Sequence, residues 1–213
     1  MNFIKSLVEK VIIGIGKIHW SSSTQISAAD QEKIKELLVD NYFVILSHRK
    51  NHLSTFFVGL ANFVLTFKWG YWSHALMNLE DEVQTKSDFR IVGMNDRALI
   101  EATGEGVHIT PFDQVFDAHG IALLKPKSMT LEEWTAVLDK AKEQIGKPYD
   151  TLFDLADDKA LSCVELVRVI LQAQPNYETD FANFEALIKK RKNLSPQMFY
   201  DCGDFSVVFE ARV

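Results

Sequence analysis

The sequence predicts an α+β domain. Helical patterns flank the chain on both sides, around residues 28–40 and 130–171, while residues 72–126 break into short apolar runs separated by turns. A last run, "FSVVFEA", is rich in β-branched and aromatic residues after the helical part has ended. The order is helices, antiparallel strands, helices, strand, without the βα alternation of a parallel sheet.

In chain order, residues 2–18 read as an amphipathic helix, weakened at its end by Gly14 and Gly16. "SSSTQIS", residues 21–27, is a polar linker, and Ser27 caps the next helix, "AADQEKIKELLVD", whose Ile34, Leu37 and Leu38 form one apolar side. The domain boundary falls there, with an N-terminal helix and linker at 1–26 and one folded unit at 27–213. "YFVILSH" is a strand and 52–67 a helix. The strand candidates that follow are "SHALMNL", "FRIVGM", "RALIEAT", "GVHI" and "GIALLKP", with hairpin turns at Asn95-Asp96 and Gly104-Glu105. Thr130 and Glu133 form a capping box for "LEEWTAVLDKAKEQIG", which turns Leu131, Trp134, Val137, Leu138 and Ile145 inward and stops at Gly146 and Pro148. A helix opens at Cys163, another covers 176–193, and Ser195-Pro196 starts a short helical turn.

The bulk numbers narrow the function classes. A chain of 213 residues with 47% apolar content can bury one sizeable core. A net charge of −6 with no basic run argues against a nucleic-acid binder. Two cysteines, Cys163 and Cys202, make neither a disulfide framework nor a four-cysteine zinc site, and they fit a reducing compartment. No HExxH spacing appears and "GIGKI" lacks the Walker spacing, so neither metal nor cofactor is expected. The apolar stretch 53–67 is shorter than the roughly 20 residues of a spanning helix. The N-terminus lacks the layout of a secretory signal. A cytoplasmic or peripheral-membrane address is expected, in a bacterial or phage-encoded protein, with any membrane contact made through 1–18 or 53–67.

The chemistry centres on "KALSCVELVRVI". Ser162 is a competent N-cap, which puts Cys163 at the first helical position. A helix N-terminus favours a thiolate, and its free N–H groups can stabilise an oxyanion. The competing reading is a structural cysteine buried as a small hydrophobe. A thiolate nucleophile needs an imidazole, and the imidazole needs a polar group to orient it. His74 is best placed, opening a strand within "KWGYWSHALMNL", where Trp69, Tyr71 and Trp72 could wall a site against water. His108 and His119 remain alternatives in later strands, and His19, His48 and His52 read as surface or loop residues. Glu101 ends an apolar run in "ALIEATGEGV", a context in which a carboxylate is either exposed at an edge or partnered. It could face His74 across neighbouring strands, or pair with Arg97 or Lys125. Glu165 reads as structural, and Cys202 as an ordinary loop or strand-edge thiol.

The order of several motifs resembles the circularly permuted NlpC/P60 superfamily of papain-like cysteine peptidases and amidases, within it the YiiX/YaeF-like group. "YFVILSH" and the apolar stretch 53–67 precede "WSH" at 72–74. "LIEA" follows at 99–102, "GV" at 106–107, "GKPYD" at 146–150, "SCVELV" at 162–167 and Ser195-Pro196 last, so that the resemblance covers about residues 40–210. It implies a papain-like antiparallel sheet packed against helices, with the nucleophile at a helix N-terminus. It also implies Cys163 as nucleophile, His74 as base and Glu101 as third member of a triad. Tyr149 would lie near the thiol as an oxyanion donor or pocket wall, beside Ser162 and Trp72. Two departures stand out: Val164 replaces the usual serine after the cysteine, and the charged stretch "EDEVQTKSD" lengthens the path from His74 to Glu101. The implied activity is hydrolysis of an amide, ester or thioester through an acyl-cysteine, on a peptidoglycan-type peptide or an acylated or lipid substrate. A lipid acyltransferase and a non-catalytic membrane- or partner-binding protein are the alternatives.

Overall fold

The computed structural model describes residues 25–38, 41–49, 70–79, 98–150, 159–191 and 194–213. The expected helices at 2–18 and 53–67, the strand at 89–94, the turn at Asn95-Asp96, Trp69, Arg97 and the charged insertion lie outside them. So do His19 and His52.

Six strands form one antiparallel sheet in the order β4-β3-β2-β1-β5-β6. They are β1 (Val44–His48), β2 (His74–Asn78), β3 (Ala98–Thr103), β4 (Gly106–Pro111), β5 (Gly120–Pro126) and β6 (Phe205–Arg212). The central strands read as nearly unbroken apolar runs because both faces are covered. One face sends Val44, Leu46, Ala75, Met77, Ile100, Ala122 and Leu124 into the larger core. The other sends Ile45, Leu76, Leu99, Ile121 and Leu123 into a second core with Ile34, Leu38, Phe112 and Phe116. Register follows this alternation, Val44 standing between Met77 and Leu124, and Ile45 between Leu76 and Leu123.

The second core is closed by α1 (Ala28–Leu38), capped as expected by Ser27, whose Oγ accepts the Asp30 N–H at 3.1 Å, and by a 3-10 turn over Phe112–Phe116. The larger core is closed by α2 (Leu131–Gln144) and α3 (Cys163–Leu171). Thr130 and Glu133 form the expected capping box on α2, and Trp134, Val137 and Leu138 are buried. Further along are α4 (Tyr177–Asp180), α5 (Ala182–Arg191) and α6 (Gln197–Asp201).

The single helix expected over 176–193 is thus two helices broken at Phe181. That residue is fully buried and packs between the rings of Tyr177 and Phe205. The second helix gets its own start from Asp204, whose carboxylate accepts the Phe184 N–H at 2.7 Å and the Asn183 amide at 2.6 Å. A buried side chain and a remote cap override the local periodicity. His48, expected at the surface, is the last residue of β1 and is 8% exposed. Among the described residues no helix is long and apolar enough to cross a membrane.

Candidate active site

Ser162 caps α3 as its sequence suggests. Its Oγ accepts the Glu165 N–H at 3.4 Å, and the Glu165 carboxylate accepts the Ser162 N–H at 2.8 Å. This reciprocal box fixes the first turn of α3 and places Cys163 at its first position, 7% exposed. The same box occupies the Ser162 hydroxyl. With that residue 1% exposed, its expected place among the substrate contacts is corrected to a capping role.

The helix α3 lies against β2 and β3. These two strands are paired at Met77↔Ile100 and Asn78↔Leu99, and beyond that register the side chains of His74 and Glu101 meet. The His74 Nε2–H donates to Glu101 Oε2 at 2.7 Å. The Cys163 sulfur lies near enough to the imidazole to act on its charge. Because Nε2 is committed to the carboxylate, the nitrogen left for sulfur is Nδ1. The structure therefore brings Cys163, His74 and Glu101 into one chain of contacts.

Charge reinforces this geometry. Burial works against a charged His74, but the charge and hydrogen bond of Cys163, followed by those of Glu101, outweigh it and raise the imidazole from 6.5 to about 10. Burial likewise works against the Glu101 anion, yet its contacts with His108, His74 and Thr110 hold it well below the usual carboxylate range. The Thr110 hydroxyl donates to Glu101 Oε1, and His108 Nε2 stands 3.6 Å from that same oxygen. Of the expected alternatives for Glu101, Lys125 contacts Asn41 at 3.4 Å instead, and Arg97 lies outside the described residues.

His108 is the site residue whose place sequence reasoning misses. Expected as an alternative base, it sits on the carboxylate and not on the thiol. A signal for this exists in the chain. A two-residue turn at Gly104-Glu105 pairs Thr103 with Gly106, and counting back from it sets His108 directly opposite Glu101. His119, the other alternative, is a buried residue ahead of β5, 4% exposed.

Tyr149 lies close enough to Cys163, Glu165 and Asp150 to feel all three charges. Burial foremost, then those charges, push its hydroxyl far upward and keep it a neutral donor. Glu165 is buried, not a surface residue. Burial pushes its carboxyl up, the Ser162 contacts pull it down, and Asp150 beside it pushes it up again. Trp72 is also corrected. At 1% exposure it is core, its ring edge-on to Tyr71 at 4.8 Å, and it does not wall an open cleft. Tyr71 is tied into the same packing, its hydroxyl donating to the His119 carbonyl at 3.2 Å. Cys202 follows α6, is 8% exposed, and burial pushes its thiol up to about 12.

Backbone contacts show why the scattered motifs recur in this order. The Val107 N–H donates to the Lys147 carbonyl at 2.8 Å and the Gly146 N–H to the Val107 carbonyl at 2.9 Å, joining "GV" to "GKPYD". The Leu161 N–H donates to the Pro148 carbonyl at 2.9 Å, joining "GKPYD" to the entry of α3. Gln197, next to Ser195-Pro196, accepts the N–H groups of Tyr71 and Trp72 at 3.0 and 3.3 Å, fixing the approach to His74.

Comparison with known proteins places this arrangement. Among curated proteins no significant match is found. Among solved structures the chain is similar to "metalloprotein yiiX" from Escherichia coli O157:H7, with a TM-score of 0.55, 20% identity, and coverage of 80% of this chain and 96% of that one. At that identity the likeness shows the fold. That relative is described as a metalloprotein, whereas among the described residues of this chain no three His, Cys, Asp or Glu side chains are grouped to hold a metal ion. A family model described as "permuted papain-like amidase enzyme, YaeF/YiiX, C92 family" matches residues 44–209. With some three quarters of its length matched, and with the sheet and helices in place, the chain belongs to the permuted papain-like amidase family.

Proposed function

We propose that the protein is a cysteine hydrolase that cleaves an amide, ester or thioester bond through an acyl-enzyme on Cys163. The observation that carries this reading is the imidazole of His74, bonded to Glu101 at 2.7 Å and close enough to Cys163 for the sulfur to act on its charge. His74 takes the thiol proton, and Glu101 holds the imidazolium in orientation. The thiolate attacks the carbonyl carbon, and the negative charge moves to the carbonyl oxygen. The Cys163 N–H, at the first position of α3, has no carbonyl partner within the helix and is available to that oxygen. The neutral Tyr149 hydroxyl is a second candidate donor. His74 returns its proton to the leaving group as the carbon–heteroatom bond breaks, and water then releases the acyl group by the same steps.

Family membership favours an amide over an ester. The substrate class we assign is a peptide or acylated small molecule. The lean toward a greasy substrate rests on the apolar stretch 53–67 and on Trp69, which lie outside the described residues, and on Tyr71 and Trp72, of which Trp72 is core.

Alkylation tests the reading. Iodoacetamide near neutral pH should label Cys163 much faster than Cys202, whose thiol is held up at about 12. Cys163→Ala should abolish turnover of any substrate found by acyl-enzyme trapping. Equal slow labelling of both thiols would refute it.

A further inference from the structure

The Glu101 carboxylate is held by more than a triad requires. Its Oε2 accepts from His74, and its Oε1 faces both Thr110 and His108. The protonation of His108 follows from its two contacts. Its Nδ1 lies 3.0 Å from the Gly106 carbonyl, an oxygen that can only accept, so Nδ1 carries a hydrogen. Its Nε2 faces a carboxylate oxygen at 3.6 Å, where a lone pair would be repelled and an N–H is attracted. Both contacts favour a hydrogen on each nitrogen, and so the charged form of His108. Its ring is 35% exposed, so it exchanges protons with solvent, whereas Glu101 is 13% exposed.

The charges then balance across the site. In the ion pair that the hydrolase reading calls for, the sulfur and Glu101 are negative, and His74 and His108 are positive. Without His108 this partly buried group would carry a net negative charge. The excess would fall on His74, because Glu101 would have one imidazolium instead of two to satisfy. An imidazole held too firmly as a cation is a good proton acceptor and a poor donor. Hydrolysis of an amide needs both actions: His74 removes the sulfur proton, then delivers it to the departing nitrogen as the carbon–nitrogen bond breaks.

We propose that His108 is a positioning residue of this site: as a cation fixed between the Gly106 carbonyl and Glu101, it takes up part of the carboxylate's charge and keeps His74 able to give its proton back. This rests on the hydrolase reading above for its purpose, though not for its electrostatics. The groups facing His108 are Glu101 across the β3–β4 pair, Thr110 on its own strand, and Glu105 in the turn. His74 on β2 lies beyond Glu101, and Cys163 on α3 beyond His74. Glu101 first, with Gly106 and Glu105, favours the charged form of His108 over the burial that opposes it. The device is pH-dependent. When His108 loses its proton, His74 becomes more basic, and the site behaves as it would without His108.

The test is an NMR titration of the full chain with histidine ring carbon labelled, from pH 5 to 11, in wild type, Glu101→Gln, His108→Gln and His108→Lys. In wild type His108 should titrate above 6.5, and in Glu101→Gln its midpoint should fall toward that value. His108→Lys, which keeps its charge through the His74 titration, should place the His74 midpoint about one pH unit below that of His108→Gln. A residue that only packs would not couple the two titrations this way. His108 titrating at 6.5 with no response to Glu101→Gln, or the same His74 midpoint in His108→Lys and His108→Gln, overturns the proposal. Iodoacetamide labelling of the same samples separates this from the hydrolase reading. Rapid labelling of Cys163 without coupling leaves the hydrolase and removes His108. Coupling with an inert Cys163 removes the hydrolase, and with it the proton-return role.

Discussion

Replacing Gly106 by alanine tests whether the motifs are physically joined at the site. Gly106 has φ +97°, and a Cβ built there would stand 2.6 Å from the Lys147 carbonyl oxygen. Two costs follow. Side chains other than glycine's pay roughly 1–2 kcal/mol for the left-handed region. The clash is with backbone, so relief means moving β4 away from residue 147, which stretches the 2.8 Å Val107–Lys147 hydrogen bond. A net hydrogen bond contributes about 0.5–1.5 kcal/mol. The sum is about 1.5–3.5 kcal/mol, or a fall in Tm of roughly 3–14 °C for a chain of this size. Gly146 is the internal control, because it has φ +88° with nothing within 4 Å of a built Cβ. Gly146→Ala therefore carries the conformational cost alone, about 1–2 kcal/mol. Urea unfolding of both variants measures the difference, and the rate of iodoacetamide reaction at Cys163 reports the site. Gly106→Ala should be the less stable and the slower to label, since residues 147–149 lead to Tyr149 and to the entry of α3. If the two variants lose the same stability and label alike, β4 does not clamp this segment, and the motifs converge by some other route.

Four further outcomes follow from the same contacts. Glu101→Gln keeps a hydrogen-bond acceptor for His74 but removes its counter-charge. The His74 titration should fall from about 10 by roughly 1–3 pH units, read by NMR, and an unchanged midpoint would remove Glu101 from the triad. His74 is raised above its ordinary 6.5, so its contribution to stability is complete below that value and disappears as pH rises through about 10. The urea midpoint should accordingly drop more between about pH 7 and 10 in wild type than in His74→Gln. Arg168 donates to both oxygens of Glu185 at 2.7 and 3.1 Å, with Tyr177 donating to the same carboxylate at 2.6 Å. Arg168→Met should cost about 3–5 kcal/mol by leaving that anion buried, as chemical unfolding will show. Gln197→Ala should slow Cys163 alkylation more than it lowers Tm, since its amide oxygen takes the two N–H groups leading to His74; equal loss in Asp201→Ala would assign the effect to helix stability instead.

What the sequence made legible was whatever depends on neighbours along the chain. The capping box at Thr130 and the N-cap at Ser162 depend on residues within one turn, and both form, the second as a capping box with Glu165, a partner not expected for it from the sequence. The strands from β2 to β5 announce themselves by apolar runs between turns. The break at Phe181 was not legible because its causes, the Tyr177 and Phe205 rings and the Asp204 carboxylate, include residues more than 20 positions away. Trp72 misleads for a related reason. An aromatic beside a candidate histidine suggests a wall, but its contacts with Tyr200 and Arg212 come from the far end of the chain and bury it.

The site itself divides in the same way, and the division explains which roles a sequence can reveal. Cys163 is readable because its environment, a helix N-terminus, is made by its own neighbours. His74 and Glu101 are readable from their strands as candidates, but their pairing is singled out only through the resemblance, since their side chains meet beyond the last paired residues of β2 and β3. His108 is readable by counting across a hairpin, yet nothing in its own surroundings marks it. Its role comes from having a carbonyl on one ring nitrogen and a carboxylate on the other. A motif search finds the residue that reacts. The residue that sets how firmly the base holds its proton emerges only when every acceptor around the carboxylate is assigned a donor.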